Sequence, residues 1–152
     1  MPPRRFLLVF LFVLFAAGPG YAQVESFPTA SLSIVTAGGE RKFIVELATT
    51  PGQMAQGLMY RRGLAPDAGM LFDFGTPSMA TMWMKNTLIP LDMLFVDARG
   101  HIVNIQERTV PGSLATVAAA APVRAVVELN GGTASRLGIK PGDRVVYPIF
   151  TP

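Results

Sequence analysis

Short apolar segments that alternate with polar residues and end at turn signals recur along most of this chain. Phe43, Val45 and Leu47 form one apolar face of a period-two segment, which is typical of a half-buried strand. The segment before it, 31–36, ends at a Gly-Gly pair and predicts a hairpin with it. About seven such strands are predicted in all, with the later ones at 69–74, 91–96, 101–105, 123–129 and 144–150. The pattern favours a mainly β fold, a compact β-barrel or sandwich-like single domain.

One or two short helices are expected to decorate this domain. Thr50 followed by Pro51 predicts a helix start, and Gly63 is the expected stop. A single helical turn is predicted over 133–137, capped by Thr133 and closed by Gly138. Two such helices are too few to cover both faces of a parallel sheet, which argues against a Rossmann-like α/β design. The segment 111–122 is predicted to be a long surface connection.

Residues 1–22 have the pattern of a cleavable secretory signal peptide. Arg4 and Arg5 precede an apolar run over 6–17, and a small-x-small triplet ends at Ala22. The run is shorter than the roughly 20 apolar residues that span a bilayer. We therefore expect an exported, periplasmic or extracellular protein with a single β-rich domain over 23–152 and no membrane span after cleavage. An uncleaved N-terminal anchor is the alternative.

Charge and cysteine content exclude several classes of function. Removal of 1–22 leaves eleven basic and ten acidic residues, a net charge of +1. Such a chain lacks the basic footprint of nucleic-acid binding. It has no cysteine, which excludes disulfides and thiolate chemistry, and its one histidine, His101, cannot build a multi-histidine metal site. No cofactor is expected.

The most informative stretch is 83–92, with the sequence WMKNTLIPLD. It combines the only tryptophan of the chain with three polar residues, Lys85, Asn86 and Thr87, beside Trp83. Asp92 follows inside an apolar strand, so it is either buried and paired or driven toward its neutral form. The structural interpretation has Asp92 accepting hydrogen bonds from the asparagine, the threonine or nearby backbone amides. The functional interpretation makes Asp92 an acid or base and Lys85 an anion-binding group.

Glu128 is a second carboxylate in an apolar strand. It could pair with Asp92 as an acid–base couple of the kind that glycosidases use. The alternative is that Glu128 braces the turn at Gly131-Gly132. No recognisable nucleophile and base accompany either carboxylate, so the sequence leaves open whether the protein is an enzyme.

At these residues the chain resembles the family known as domain of unknown function 192. The resemblance covers roughly Phe43 to Phe150 and rests on Gly57-Leu58-Met59, Gly69-Met70-Leu71-Phe72, Trp83-Met84-Lys85-Asn86-Thr87, Ile89-Pro90-Leu91-Asp92, Glu128-Leu129-Asn130-Gly131-Gly132 and Gly142-Asp143. Membership implies a compact, β-rich fold and frequent export, with no established activity.

Where that family usually has phenylalanine before the tryptophan, this chain has Met82. The change creates a methionine cluster around Trp83, made up of Met79, Met82 and Met84. Thioethers select Cu(I), and an indole adds a cation–π contact. The alternative is that these methionines fill a β core.

Three hypotheses follow. The first is a small ligand-binding or accessory module of the cell envelope, which uses a groove around the 83–92 motif for a polar ligand such as a saccharide or peptide. Its binding residues are Trp83, Lys85, Asn86, Thr87, Asp92 and Glu128. The second is a hydrolase or lyase in which Asp92, Glu128 and Lys85 perform acid–base chemistry. The third is Cu(I) binding through the methionines.

Overall fold

The computed structural model describes residues 24–150, so the predicted signal peptide lies outside the described residues. Nine strands and two short helices follow one another over this range, and the predicted mainly β fold is confirmed. In chain order they are β1 (Thr29–Thr36), β2 (Gly39–Ala48), α1 (Pro51–Gln56), β3 (Ala68–Ser78), β4 (Thr81–Met82), β5 (Leu91–Val96), β6 (Ile102–Gln106), β7 (Val117–Ala118), β8 (Val123–Asn130), α2 (Thr133–Leu137) and β9 (Arg144–Val146). None of the helices within 24–150 is long and apolar enough to cross a membrane.

Seven strands form one sheet in the order β6-β5-β8-β3-β2-β1-β9, and β4 and β7 form a separate pair. Only β2 and β3 run parallel; the other pairs in the seven-stranded sheet are antiparallel. The sheet curls into a half-barrel, and its two edges meet at one end. There His101 bridges Arg144, and the amide of Val145 donates to the carbonyl of Gly100 at 2.7 Å.

Both predicted hairpins are confirmed. β1 and β2 pair from Thr29 opposite Glu46 to Thr36 opposite Gly39, and β5 pairs with β6 across a bulge. The stretch 111–122 differs from the prediction because it contains β7, which pairs with β4. The last strand is also shorter than predicted, since β9 ends at Val146 before Pro148, which has no N–H to donate.

The sheet has a hydrophobic core on each of its two faces. The inner core fills the concave side and includes Leu94, Val127 and Leu129. The outer core lies beneath α1, the β4–β7 pair and their loops, and it includes Met93 and Phe95. Every residue of β5 is buried because successive side chains point to opposite faces. One strand therefore contributes to both cores, and alternate residues along it enter the inner and the outer core.

The two helices begin for different reasons. At α1 the predicted cap is confirmed: the hydroxyl of Thr50 accepts from the amide of Gln53, whose side chain accepts from the amide of Thr50. This helix ends well before Gly63, since Gly57 has a φ of 48° and a ψ of −134°, which no helix contains. At α2, Gly138 is the expected stop, whereas the predicted Thr133 cap is wrong.

Candidate functional site

An open pocket of about 280 Å³ lies on the outer face of the sheet, between α1 and the segment 81–87. We call it the Glu128 pocket. Its lining residues come from α1 and the turn after it, from β3, from 81–87 and from β8: Met54, Ala55, Gln56, Gly57, Leu58, Met59, Phe72, Phe74, Thr81, Met82, Trp83, Thr87 and Glu128. A smaller depression of about 230 Å³ adjoins it and is lined by Thr81, Met82, Trp83 and Thr116.

Glu128 reaches this pocket because of the register of β8. Its direct partners are Met70 on β3 and Met93 on β5, and both belong to the outer core. Residues directly opposite in an antiparallel pair share a face, so the carboxyl also points outward. Glu128 is only 4% exposed, and no side chain or amide among residues 24–150 hydrogen-bonds to its carboxyl group.

Burial raises the pKa of Glu128 from 4.5 to about 8, because the charged form loses its hydration without gaining a partner. At neutral pH the group is therefore mostly a neutral carboxylic acid. In that form it can donate one hydrogen bond as well as accept others. The pocket thus contains a carboxyl group that is mostly protonated at neutral pH, and a nearby positive charge would favour its ionised form.

Trp83 forms part of the outer wall of the pocket and is 50% exposed. The ammonium of Lys85 lies over its ring, 5.1 Å from the centroid, which is within cation–π range. Lys85 itself is not among the pocket-lining residues. The Glu128 pocket therefore includes the indole of the motif, while the ammonium of Lys85 lies over that indole from outside the lining.

Asn86 and Thr87 have different roles from each other. Asn86 has a φ of 54°, and its carbonyl accepts from the amide of Tyr60 at 2.9 Å, so it ties the motif to the turn after α1. Thr87 is buried and lines the pocket, and its hydroxyl donates to the carbonyl of Lys85 at 3.3 Å. Of the predicted binding residues, Trp83, Thr87 and Glu128 thus line the pocket.

Asp92 lies on the other face of the sheet, and its predicted place in the binding groove is wrong. It is fully buried opposite Leu129, in the inner core. Its carboxylate accepts from the backbone amides of Arg108 at 2.8 Å, Gly132 at 2.9 Å and Ala134 at 2.8 Å. The last two amides lie at the start of α2, so Asp92 is the cap of that helix, supplied from β5.

Asp92 accepts from backbone amides, as its structural interpretation expects, but these amides come from distant segments and not from Asn86, Thr87 or the proline bend. Asp92 braces the turn at 131–132, which the sequence suggested for Glu128, and Glu128 occupies the open pocket. Because they point to opposite faces of the sheet, they cannot act on one substrate. The hydrolase or lyase hypothesis that pairs Asp92 and Glu128 with Lys85 is therefore wrong in its geometry.

The predicted methionine cluster is not assembled either. Met79 is 60% exposed, whereas Met84 is buried and accepts from the hydroxyl of Thr109 through its sulfur at 3.1 Å. Of the three, only Met82 lines the Glu128 pocket, so no shared cavity gathers the thioethers of Met79, Met82 and Met84. Within 24–150, no group of three or more histidine or acidic side chains is placed to hold a metal ion.

A family model for DUF192, described as Uncharacterized ACR, COG1430, matches residues 33–147. The chain belongs to this family. The resemblance drawn from the motifs is thereby confirmed, and the DUF192 match includes every residue of the Glu128 pocket. No curated protein matches the chain.

Two solved structures are similar to this chain over nearly their whole length. One, from Sinorhizobium meliloti 1021, is named a "putative transcription regulator"; it is 50% identical, with a TM-score of 0.78, and the match covers 82% of this chain and 97% of that one. The other is a protein of unknown function from Novosphingobium aromaticivorans DSM 12444. It is 42% identical, with a TM-score of 0.79, and the match covers 87% of this chain and 94% of that one.

Sequence reasoning missed most of the pocket wall of this DUF192 chain. The strand predicted at 69–74 contains Phe72 and Phe74, but the sequence did not connect these residues with a site. Met54 and Met59 come from the helix and turn before it and line the pocket with Met82. The alternation of side chains along β3 could have placed both phenylalanines on one face of the sheet. The approach of α1 to 81–87 depends on long-range packing, which no local pattern predicts.

Proposed function

We propose that this protein is an exported, small-ligand-binding module of the cell envelope and that the Glu128 pocket holds its ligand. The observation on which the proposal depends is the buried carboxyl of Glu128, which faces an open cavity without a partner among the described residues. Buried polar groups in proteins are almost always hydrogen-bonded. Because no donor of the described residues meets this carboxyl and its oxygens are open to the cavity, a ligand that enters the cavity can hydrogen-bond to it.

The composition of the wall supports small-molecule binding. Such sites are concave, mostly apolar and marked by a few placed polar groups. Here aromatic and thioether side chains surround the hydroxyls of Thr81 and Thr87 and the carboxyl of Glu128. The volume of about 280 Å³ suits a compact ligand or one end of a larger molecule.

Binding is favoured over catalysis by how the polar groups are used. The Thr87 hydroxyl donates to a backbone carbonyl, and Asp92 is occupied on the other face of the sheet. Glu128 thus has no partner carboxylate or activated nucleophile in the pocket. Binding to nucleic acid is disfavoured because 24–150 holds eleven basic and ten acidic side chains.

A ligand screen tests the pocket directly. Purified protein is mixed with a library of small metabolites, including saccharides, short peptides and amines, and followed by thermal shift and by the fluorescence of Trp83. We expect hits that raise the melting temperature and change the emission of this one indole. Trp83→Ala should abolish the rise in melting temperature. Leu88→Ala, at a residue that is 52% exposed in the same segment, should preserve both the rise in melting temperature and the change in emission. The proposal fails if no compound shifts the wild type or if both variants bind equally.

Export is tested by the mass of the protein recovered from producing bacteria. We expect a mature N-terminus at Gln23 in the periplasmic or culture fraction. A variant that lacks residues 1–22 should stay in the cytoplasm. Recovery of the intact chain from the cytoplasm would refute the assignment.

A further inference from the structure

We propose that the Glu128 pocket binds an organic ammonium cation, with Glu128 as its countercharge and Trp83, Phe72 and Phe74 in the wall around it. This inference rests on the proposed binding function and names its ligand class. The carboxylate would pair with the ammonium group, and the aromatic rings would contact the carbon atoms attached to it.

The charge distribution of the pocket supports a cation. Glu128 is the only acidic or basic side chain among the lining residues. Its neighbours from the packed elements are uncharged: Met70 and Met93 lie directly opposite, and α1 contributes Met54 and Gln56. Within 24–150 no cation pairs with the carboxyl, and Lys85, the charged residue in the adjoining segment, is outside the lining.

The choice of a carboxyl also points to a positive ligand. An uncharged hydrogen-bond acceptor would be held equally well by an amide or hydroxyl at this position, because those groups donate without titrating. A carboxyl group differs from an amide or a hydroxyl because it can ionise, and its negative charge then attracts a cation. Inside a pocket of low dielectric constant that attraction is stronger than in water.

The wall is suited to the same ligand. Cations are attracted to the faces of aromatic rings, and most strongly to the indole. Lys85 already shows this property of Trp83, since its ammonium lies 5.1 Å from the ring centroid. The thioethers of Met54, Met59 and Met82 add polarisable contacts. A cavity of about 280 Å³ is far larger than a bare metal ion needs, so an organic cation fills it better.

Binding of a cation to this pocket should depend on pH. Burial raises the pKa of Glu128 to about 8, so the free protein must lose a proton before the ammonium can pair with the carboxylate. The affinity for a permanently charged cation should rise by about tenfold per pH unit up to that pKa and then level off. A neutral acceptor that needs the protonated carboxyl should show the opposite trend.

The experiment compares choline with its uncharged carbon isostere, in which a carbon atom replaces the nitrogen, by isothermal titration calorimetry. Phenylethylammonium and phenylethanol form a second matched pair. We expect each cation to bind at least about tenfold more tightly than its neutral analogue near pH 8. Glu128→Gln should remove this preference, and Glu107→Gln, at an exposed carboxylate outside the pocket, should retain it.

The possible failures are distinguishable. If the neutral analogues bind as tightly as the cations, or if Glu128→Gln keeps the preference, the cation assignment is wrong while the pocket remains a binding site. If the metabolite screen finds only neutral ligands, the same conclusion holds. If no compound of either set binds and the emission of Trp83 never changes, both this inference and the proposed function fail.

Discussion

Replacement of Glu128 by glutamine should stabilise the protein at neutral pH. In the unfolded chain the carboxyl ionises near 4.5, whereas in the folded protein burial raises its pKa to about 8. Between these values the folded state holds one proton more than the unfolded state. Stability therefore falls as pH rises, by about 1.4 kcal/mol per pH unit, and the loss is complete above about pH 8.

The size of the effect follows from that interval. Over the whole range it amounts to about 5 kcal/mol, and at pH 7 to about 3 kcal/mol, as an order of magnitude. Glutamine is close in shape and does not titrate, so Glu128→Gln should avoid this loss. We expect the variant to match the wild type near pH 4 and to exceed it increasingly toward pH 8.

Urea unfolding of both proteins at several pH values measures the difference directly. When the stability of the wild type is subtracted from that of the variant, the contributions of all other titrating groups cancel. Glu107→Gln, at an exposed carboxylate, should give a difference near zero throughout. The reasoning is refuted if Glu128→Gln shows no pH-dependent gain, or if its gain is largest at low pH.

Three further changes test the architecture, each by urea unfolding. Asp92→Asn should lower the free energy of unfolding by about 2 to 4 kcal/mol, because an amide cannot accept from three backbone donors as a carboxylate does. Asp143→Asn, at an exposed turn, should lower it by about 1 kcal/mol or less. Equal losses in the two variants would contradict the capping role of Asp92. Thr109→Val should lower the free energy of unfolding by about 1 to 3 kcal/mol, because the buried amide of Leu91 on β5 loses the hydroxyl that accepts its hydrogen bond. An unchanged stability would be inconsistent with this role of Thr109. Gly100→Ala should cost roughly 3 kcal/mol because its Cβ would lie 2.5 Å from a carbonyl of β9. Gly142 has a similar positive φ without such a contact, so Gly142→Ala should lower the free energy of unfolding by only about 1 kcal/mol. Similar losses in the two variants would argue against close packing where the two sheet edges meet.

Much of the fold could be predicted because local chemistry determines it. Thr50 and Gln53 specify the start of α1 within a few residues, and the glycine pair at 38–39 places the β1–β2 hairpin. The parallel pairing of β2 with β3 and the contact between His101 and Arg144 could not be read in this way. Both join segments that are distant in the chain, and no local signal encodes which strand edge meets which.

The candidate site shows the same division. Trp83 and Glu128 stood out as unusual residues in their segments, and both line the pocket. Asp92 looked equally unusual, but its carboxylate accepts from the amides of Gly132 and Ala134 at the start of α2, which tertiary packing brings close to it. A buried carboxylate in a strand signals that something must satisfy it. Only the position of its donors shows whether that partner is the protein itself or a ligand.

The alternation along β5 and β8 has a consequence for how such proteins can diversify. One set of residues, including Leu94 and Val127, maintains the barrel interior, while the neighbours between them, including Glu128, face the pocket layer. Substitutions in the second set can therefore change the pocket that we propose as the binding site while the first set keeps the scaffold intact. Relatives that share 42% to 50% of their residues and one backbone shape need not share a ligand, and directed evolution of new binders should draw its variable positions from the outer set alone.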